Sequence, residues 1–421
     1  MKVTVLTTRL FDRPGSGGEL CTARLLAALQ AGGHEVRLIG RGNAAGAVSL
    51  GPLVTPFDDQ PLHERVHGLL GAWAGGRAST VHRLGAGGVA GRAAQALLAA
   101  PPDALVVDHL QAWDWVGPLR WQLPAPLLVL HNLEAAGYAE QAGRAGGLRR
   151  QVLLREARLL AALEADALQH AAAVACLSED DARSLPVRPG CLVRLPGYPL
   201  AGGPSAAPAE GAPGAGPVVG LIGTWSWAPN RAALQWMLAE VLPRLGPACR
   251  VLLAGSGLDR LPVPLPAGPR GQVQVLGRVA DVADFYRRVD VVALPALLGS
   301  GVQEKAIEAI ASARAVVATP HALRGLGPGL PPHVRQATTA ADFAAACCQA
   351  MPSTPADRLA VQQWAQRRAG LYQQQLLRGL LASAATRPLP GPAGPAGPAG
   401  PAGPAGPAGP AGTLRPTAAA R

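Results

Sequence analysis

The chain has 421 residues, of which 49% are hydrophobic by type, and a formal net charge of +11. That length leaves room for two or three domains, and the apolar content suffices for sizeable cores. The basic balance suits an anionic partner such as a nucleotide or an anionic lipid surface, while the lack of helix-turn-helix, zinc-finger or RNP-type patterns speaks against nucleic acid.

Val3 to Thr7 read as a first strand, Pro14-Gly15-Ser16-Gly17-Gly18 as a flexible turn, and about 19–31 as a helix with Leu20, Ala23, Leu26, Ala27 and Leu29 at its apolar positions. Gly32-Gly33 end the helix, and His34 to Ile39 form the next strand. This βαβ start is shared by many nucleotide-binding folds, but a full G-x-G-x-x-G is missing, so the turn by itself is compatible with a plain βα connection. Residues 45–100 are helix-prone and rich in Gly and Ala, with His63, His67 and His82 expected at the surface. Leu105 to His109 are a strand with a polar end. Trp113, Trp115 and Trp121 follow it, and a core role suits them better than an acceptor pocket.

Leu127 to Leu130 form a buried strand that ends in His131 and Asn132. Polar residues at a strand's carboxyl end stand where α/β sheets place ligands; a structural histidine is the alternative. From about 147 to 172 a long helix carries Arg149, Arg150, Arg155 and Arg158. Such a charge run is ordinarily a solvated face, though it could touch anionic lipid. A strand at 173–177 leads to Ser178, a residue type suited to a helix N-cap.

Residues 199–217 are a Pro/Gly/Ala linker between a first domain, 1–198, and a second, 218–353. Val218 to Thr224 restart the buried-strand pattern and lead to a turn, Trp227-Ala228-Pro229-Asn230. Val251 to Gly257 read as a strand with a Gly-rich turn, and Val273 to Gly277 as another strand, followed by Arg278 and Val279. Asp290 to Leu294 are a short strand stopped by Pro295, Gly299-Ser300-Gly301 open a helix, and Ala315 to Thr319 are the next strand. Ser300 with Gln303 matches a capping box. Such a helix N-terminus after a parallel strand is a ready anion site. Lys305 is one of only two lysines, with Lys2, among 38 basic residues. A cation so near a helix start opposes the macrodipole, a conflict that a bound anion removes. Glu308 lies three residues on, and a surface Lys–Glu pair is the alternative for the two. Residues 354–387 are helical, and 388–421 hold seven unbroken Gly-Pro-Ala triplets. Collagen-like in period, these read as a disordered, extended tail.

Residues 218–326 resemble the C-terminal domain of GT-B-fold glycosyltransferases of the family-4 type. The resemblance rests on the W-x-P-N segment 227–230 and on Gly299-Ser300-Gly301-Val302-Gln303-Glu304-Lys305-Ala306-Ile307-Glu308-Ala309, with a weaker likeness over 1–200. It implies two Rossmann-like domains facing across a cleft, with the C-terminal helices packing back on the first. It also implies sugar transfer from a nucleotide diphosphate sugar to an acceptor hydroxyl, usually with retention, in polysaccharide or glycoconjugate synthesis. In such a site Lys305 and the amides of Gly299, Ser300 and Gly301 hold the diphosphate, Gly17 and Gly18 face it across the cleft, and Glu308 holds the ribose. The backbone around Val279 meets the base. His131, Asn132 and Glu134 become substrate contacts, with His131 and Lys305 as the catalytic pair. Glu164 stands where the subgroup also carries an acid.

Two departures bear on this. Position 300 is Ser where the common motif has a first glutamate, and the usual basic pair after the first strand of the second domain is missing. Asn230 and Arg231 stand near that place as donor contacts, Arg231 being the only cation there. Neither a cofactor nor a metal is expected. Rival readings are a non-catalytic nucleotide-sugar binder on the same scaffold and a collagen-like oligomeriser with a globular passenger. Six cysteines without a C-x-x-C pair fit a reducing compartment, with Cys347 and Cys348 expected as buried thiols on a helix. No signal-peptide core or spanning stretch is read, so the expected place is the cytoplasm, with the inner face of the cell membrane left open.

Overall fold

The computed structural model describes residues 1–55, 60–119, 121–188, 190–200, 216–258, 272–298, 301–350 and 353–386. The linker core, Gly299, Ser300 and the Gly-Pro-Ala tail lie outside the described residues.

The chain builds two all-parallel sheets. The first contains β1 (Lys2–Thr7), β2 (Glu35–Gly40), β3 (Val48–Ser49), β4 (Ala104–Asp108), β5 (Leu127–Leu130), β6 (Ala173–Cys176) and β7 (Leu192–Arg194). Its spatial order is β3-β2-β1-β4-β5-β6-β7. The second contains β8 (Val218–Ile222), β9 (Arg250–Ala254), β10 (Val273–Gly277), β11 (Val291–Leu294), β12 (Ala315–Ala318) and β13 (Val334–Gln336), in the order β10-β9-β8-β11-β12-β13. Every residue of β4, β5, β6, β11 and β12 is buried. Strands covered by helices on both faces need such unbroken apolar runs. Each sheet reverses its winding once, between β1 and β4 and between β8 and β11. Open α/β sheets take ligands outside the carboxyl ends of the strands at such switch points.

In the first half the helices are α1 (Gly17–Ala31), α2 (Leu62–Ala74), α3 (Ser79–Gly85), α4 (Val89–Ala99), α5 (Leu110–Val116), α6 (Glu134–Gly143), α7 (Gly147–His170) and α8 (Glu179–Ser184). The second half adds α9 (Ala228–Trp236), α10 (Val282–Arg287), α11 (Glu304–Ala311) and α12 (Ala340–Cys348), before the long α13 (Pro355–Ala384). Helix α13 starts on a full capping box between Thr354 and Asp357. Its Trp364 packs in one apolar cluster with Ile307 and Ile310 of α11, while Tyr372, Leu376 and Leu380 pack with Val3, Leu127 and Ala173 of the first sheet. Thirty residues at 1.5 Å each reach about 45 Å, enough to lie along both halves.

Four local expectations are corrected. The helix expected to open at Gly299-Ser300-Gly301 begins at Glu304, and its N-cap Gln303 makes no side-chain cap bond, while Ser300, the other half of the expected capping box, lies outside the described residues. A chain that must pass Gly301 at φ +74° enters helical geometry only afterwards. The segment 227–230 is not a free turn, because Trp227 is the N-cap of α9, Pro229 sits in its first turn and Asn230 is helical and buried. Of the two adjacent cysteines only Cys347 is buried; the exposed Cys348 places its Sγ 3.2 Å from Cys249 Sγ. Trp113 and Trp115 are core residues as expected, but Trp121 is 76% exposed. Ser178 does cap α8, accepting from the Asp181 amide at 3.0 Å.

Candidate active site

The first sheet contributes three strand ends at its switch point. Asp108, fully buried at the end of β4, is the hub. Its Oδ2 accepts from Thr7 Oγ1 at 3.0 Å and from Thr22 Oγ1 of α1 at 2.6 Å, and its Oδ1 lies 2.7 Å from His131 Nε2. Burial works to raise the Asp108 carboxyl, but the neighbouring His131 and His109 and the hydrogen bonds from His131 and Thr22 hold it well below the usual range. A carboxylate there selects the His131 tautomer with its proton on Nε2, leaving Nδ1 as an acceptor. Nδ1 is buried without a hydrogen-bond partner. His109 stacks on the His131 ring at 3.8 Å and holds an unusual φ of 79°. Burial first, then the adjacent His131, pushes the His109 imidazole down to about 4, so it is neutral at pH 7.

The turn before α1 closes this side. Ser16 Oγ accepts from the Glu19 amide at 3.3 Å, and the Glu19 carboxylate returns to the Gly15 amide at 2.7 Å. A Cβ on Gly18 would lie 3.5 Å from His109 Cε1 and 4.0 Å from His131 Nδ1, so the helix start faces the histidine pair directly. The amides of that first turn are the sort that hold an anion.

Asn132 is exposed beyond His131, and Glu134 opens α6. Burial raises the Glu134 carboxyl, against hydrogen bonds from Gln111 and Asn132 and the nearby His131. Glu164 of α7 accepts from the Ala135 amide at 3.1 Å, pinning the start of α6. Thus Gly18, His131, Asn132 and Glu134 come together as the sequence suggests. Asp108, His109 and Thr22 complete the set although none had been singled out. The polar end of Leu105–His109 carried the same signal as His131-Asn132. Asp108, His109 and His131 present candidate ligand atoms within 4.8 Å of one another, but both Asp108 oxygens already accept hydrogen bonds.

The second sheet contributes Lys305. Its Nζ donates to Asn230 Oδ1 at 2.8 Å, and Asn230 Nδ2 donates to the Thr224 carbonyl at 2.9 Å, just beyond β8. Among the described residues no carboxylate pairs with Lys305, and burial alone brings its ammonium down to about 8. The surface Lys–Glu pair is therefore not what forms. Glu308 is half-buried, and burial, followed by repulsion from Glu304, raises its carboxyl to about 7. Arg231 turns its guanidinium onto the Ser226 carbonyl of its own loop. Val279 packs its side chain onto the apolar cluster of the second half. Beside it, a cavity of about 490 Å³ is lined by Gly255, Ser256, Gly257, Val275, Gly277 and Arg278.

The two halves meet at this site. Gly301 brings the α11 approach onto the end of β5: a Cβ there would stand 2.6 Å from Asn132 Oδ1 and 2.8 Å from the His131 carbonyl oxygen. Glu304 is buried at the seam. Its carboxylate takes Arg24 Nη1 at 3.0 Å and Nη2 at 2.6 Å, with Cys21 Sγ 3.0 Å away. Starting α11 at Glu304 turns that residue towards α1, which no local pattern in the sequence encodes.

Residues 16–196 match the model of the glycosyl transferase 4-like domain, and residues 216–352 that of glycosyl transferases group 1. Among solved structures, Anabaena HepE in complex with UDP is 14% identical, with a TM-score of 0.54, 92% of this chain and 99% of that chain being covered. The α,α-trehalose 6-phosphate synthase of Burkholderia multivorans is 14% identical at a TM-score of 0.55, covering 91% of this chain and 97% of that one. WaaG, a glycosyltransferase involved in lipopolysaccharide biosynthesis, is 15% identical at 0.51, covering 91% and 99%. At these identities the likeness is one of fold, GT-B. No curated protein matches the chain.

Proposed function

The chain belongs to the group 1 glycosyltransferases, and from that membership we propose that it moves a sugar from a nucleotide diphosphate sugar to an acceptor hydroxyl, with retention and without a metal, in polysaccharide or glycoconjugate synthesis. The observation that carries this reading is Lys305, a half-buried ammonium held by a neutral amide at 2.8 Å and by no carboxylate among the described residues. Burying an unpaired cation is costly unless an anion arrives.

Cleavage of the glycosyl–phosphate bond moves an electron pair onto the leaving diphosphate oxygen. Lys305 supplies a fixed positive charge to it, and the first-turn amides of α1 at Gly17 and Gly18 face it from the other half. Asn230 positions Lys305 through its Oδ1, and Thr224 fixes the Asn230 rotamer through Nδ2. Glu308 takes the ribose hydroxyls and the loops around Gly255 and Gly277 the base. On the sugar side His131, oriented by Asp108, offers Nδ1 to a donor hydroxyl, while Asn132 and Glu134 contact substrate. The chain would work in the cytoplasm. Gly299 and Ser300 belong to this proposal from the sequence alone.

The test is turnover. Purified protein is screened against a panel of nucleotide sugars for thermal stabilisation, and the best donor is then assayed for nucleoside diphosphate release with and without acceptors. Stabilisation with no release under any acceptor would favour a binder that does not turn over.

A further inference from the structure

Cys249 and Cys348 stand 99 positions apart in the chain, yet their Sγ atoms lie 3.2 Å from each other. Both backbones are held in place. Cys249 is the last residue before β9: its amide donates to the Gly246 carbonyl at 2.9 Å, and its carbonyl accepts from Gln272 Nε2 at 3.3 Å. Cys348 ends α12, a helix whose start is capped by Thr339 Oγ1 on the Asp342 amide at 3.1 Å. The two thiols differ in access. Cys249 is buried, and burial, then the hydrogen bond shared with Cys348, push its thiol up to about 12, while Cys348 is exposed. A disulfide holds its sulfurs about 2.05 Å apart, so the two have only about 1 Å to close.

The neighbouring Cys347 does not take the place of Cys249 as the partner of Cys348. A bond between residues 347 and 348 would join Cα atoms about 3.8 Å apart, below the roughly 4.4–6.8 Å that disulfides span. Cys347 also lies about 100° round α12 from Cys348, buried in the apolar cluster of the second sheet. The pair stands at the entry of β9, whose five residues at about 3.3 Å each put about 17 Å between it and Gly255 at the lip of the 490 Å³ cavity. It is therefore at the opposite strand end from the ligand side of the sheet.

We propose that Cys249 and Cys348 are a dithiol site for low-molecular-weight disulfides, which oxidise the pair to an internal disulfide that staples α12 to β9. Cys348, the accessible thiol, gives its proton to water and attacks one sulfur of the small disulfide. That S–S bond breaks, and the released thiolate takes up a proton. Cys249 then loses its proton and attacks the Cys348 sulfur, expelling the second small thiol. Two protein thiols are oxidised, and one small disulfide is reduced to two thiols. The loop so closed runs from β9 to the end of α12 and includes β10 to β13, and a cross-link over so long a loop restricts the unfolded chain strongly. In a reducing milieu the pair stays open, and a rise in small disulfides closes it reversibly. This holds whether or not the chain turns over a sugar donor.

Incubating the intact, reduced chain with oxidised glutathione tests it, in a Cys191→Ser background that removes the one other thiol that is not buried. This protein is expected to lose two thiols and retain no glutathione, and an unreduced digest should yield Cys249 and Cys348 in one cross-linked peptide. The oxidised form should melt about 3–6 °C higher than the reduced one, and dithiothreitol should reverse the shift. Adding Cys249→Ser should stop the chemistry at the first step, with one glutathione kept on Cys348. Adding Cys348→Ser instead, at an exposed position that leaves the core untouched, should abolish both the cross-link and the shift. A protein that keeps all its thiols, or that holds glutathione on Cys348 without closing the ring, would overturn the proposal. So would a cross-link from Cys348 to any other cysteine, or a disulfide that leaves the melting temperature level.

Discussion

Arg24 and Glu304 are 280 positions apart in the chain and form a two-pronged ion pair, at 3.0 and 2.6 Å, with both side chains buried. Burial works against the Arg24 charge, yet the hydrogen bond and charge of Glu304 raise it above its ordinary value. The pair ties α1, whose first turn faces the histidines, to α11, which carries Lys305. Removing one partner leaves an uncompensated buried charge. Arg24→Ala should therefore cost about 3–5 kcal/mol of unfolding free energy, while Arg24→Met combined with Glu304→Leu should recover most of it. Chemical denaturation of the three proteins checks this; a loss under about 1 kcal/mol for the single variant would place the pair among surface-like bridges.

Lys305→Ala should leave the fold intact and lower the transfer rate on the order of 10²-fold at saturating donor. Asn230→Ala should lower it less, because the charge survives and only its aim is lost. Single-turnover rates with matched circular dichroism spectra separate the two. Near-parental rates for Lys305→Ala would remove this lysine from the diphosphate site.

The lowered Lys305 value has a pH signature. Between about 8 and the ordinary 10.5 the unfolded chain holds this proton more fully than the folded one, so this group's contribution to stability rises with pH over that window and is lost as pH falls through about 8. Activity runs the other way, since only the ammonium serves the diphosphate. The kcat/KM profile should fall above about pH 8, and the kcat profile should fall later because bound diphosphate holds the proton on. A profile flat to pH 10 would contradict the role.

Glu308 titrates from the opposite direction. Its folded value of about 7 exceeds the ordinary 4.5, so its stabilising contribution is complete below 4.5 and is lost as pH rises through 7. Glu308→Gln should then melt higher than the parent at pH 8 and nearly level with it at pH 4.5. The same variant should bind a nucleoside diphosphate more weakly at pH 8, where the parent presents a carboxylate to the ribose. Calorimetry across this range checks both; undiminished binding at pH 8 would move the ribose elsewhere.

Gly301 admits no side chain. Its φ of +74° is strained for any residue with a Cβ, and that Cβ would press on Asn132 Oδ1 and the His131 carbonyl. Backbone and carbonyl cannot give way as a flexible side chain can. Gly301→Ala should cost about 1–2 kcal/mol from the left-handed conformation alone and lower kcat by displacing His131. Steady-state kinetics beside thermal melting would show it, and parental values in both would mean that the seam is loose here.

The order of strands and helices was legible because buried parallel strands must be unbroken apolar runs, and Val218–Ile222 or Val291–Leu294 can be little else. Gly18, His131 and Lys305 were legible because a strand end or helix start is a local pattern. Even the misplacement of the α11 start follows from local reasoning, since Ser300 and Gln303 have cap spacing whether or not the chain uses it. What tertiary structure alone decided are the contacts between segments far apart in sequence. Glu304 pairs with Arg24, Asp108 gathers Thr7, Thr22 and His131, and Gly301 meets Asn132. The outward face of α2 belongs with them. The segment reads only as helix-prone, and its Leu62, Leu70 and Trp73 stay exposed because Gly68 and Gly71 take the side that fits against His82 and Arg83 of the next helix. Periodicity fixes which residues share a face; only packing, a sum over non-local neighbours, chooses which face is covered.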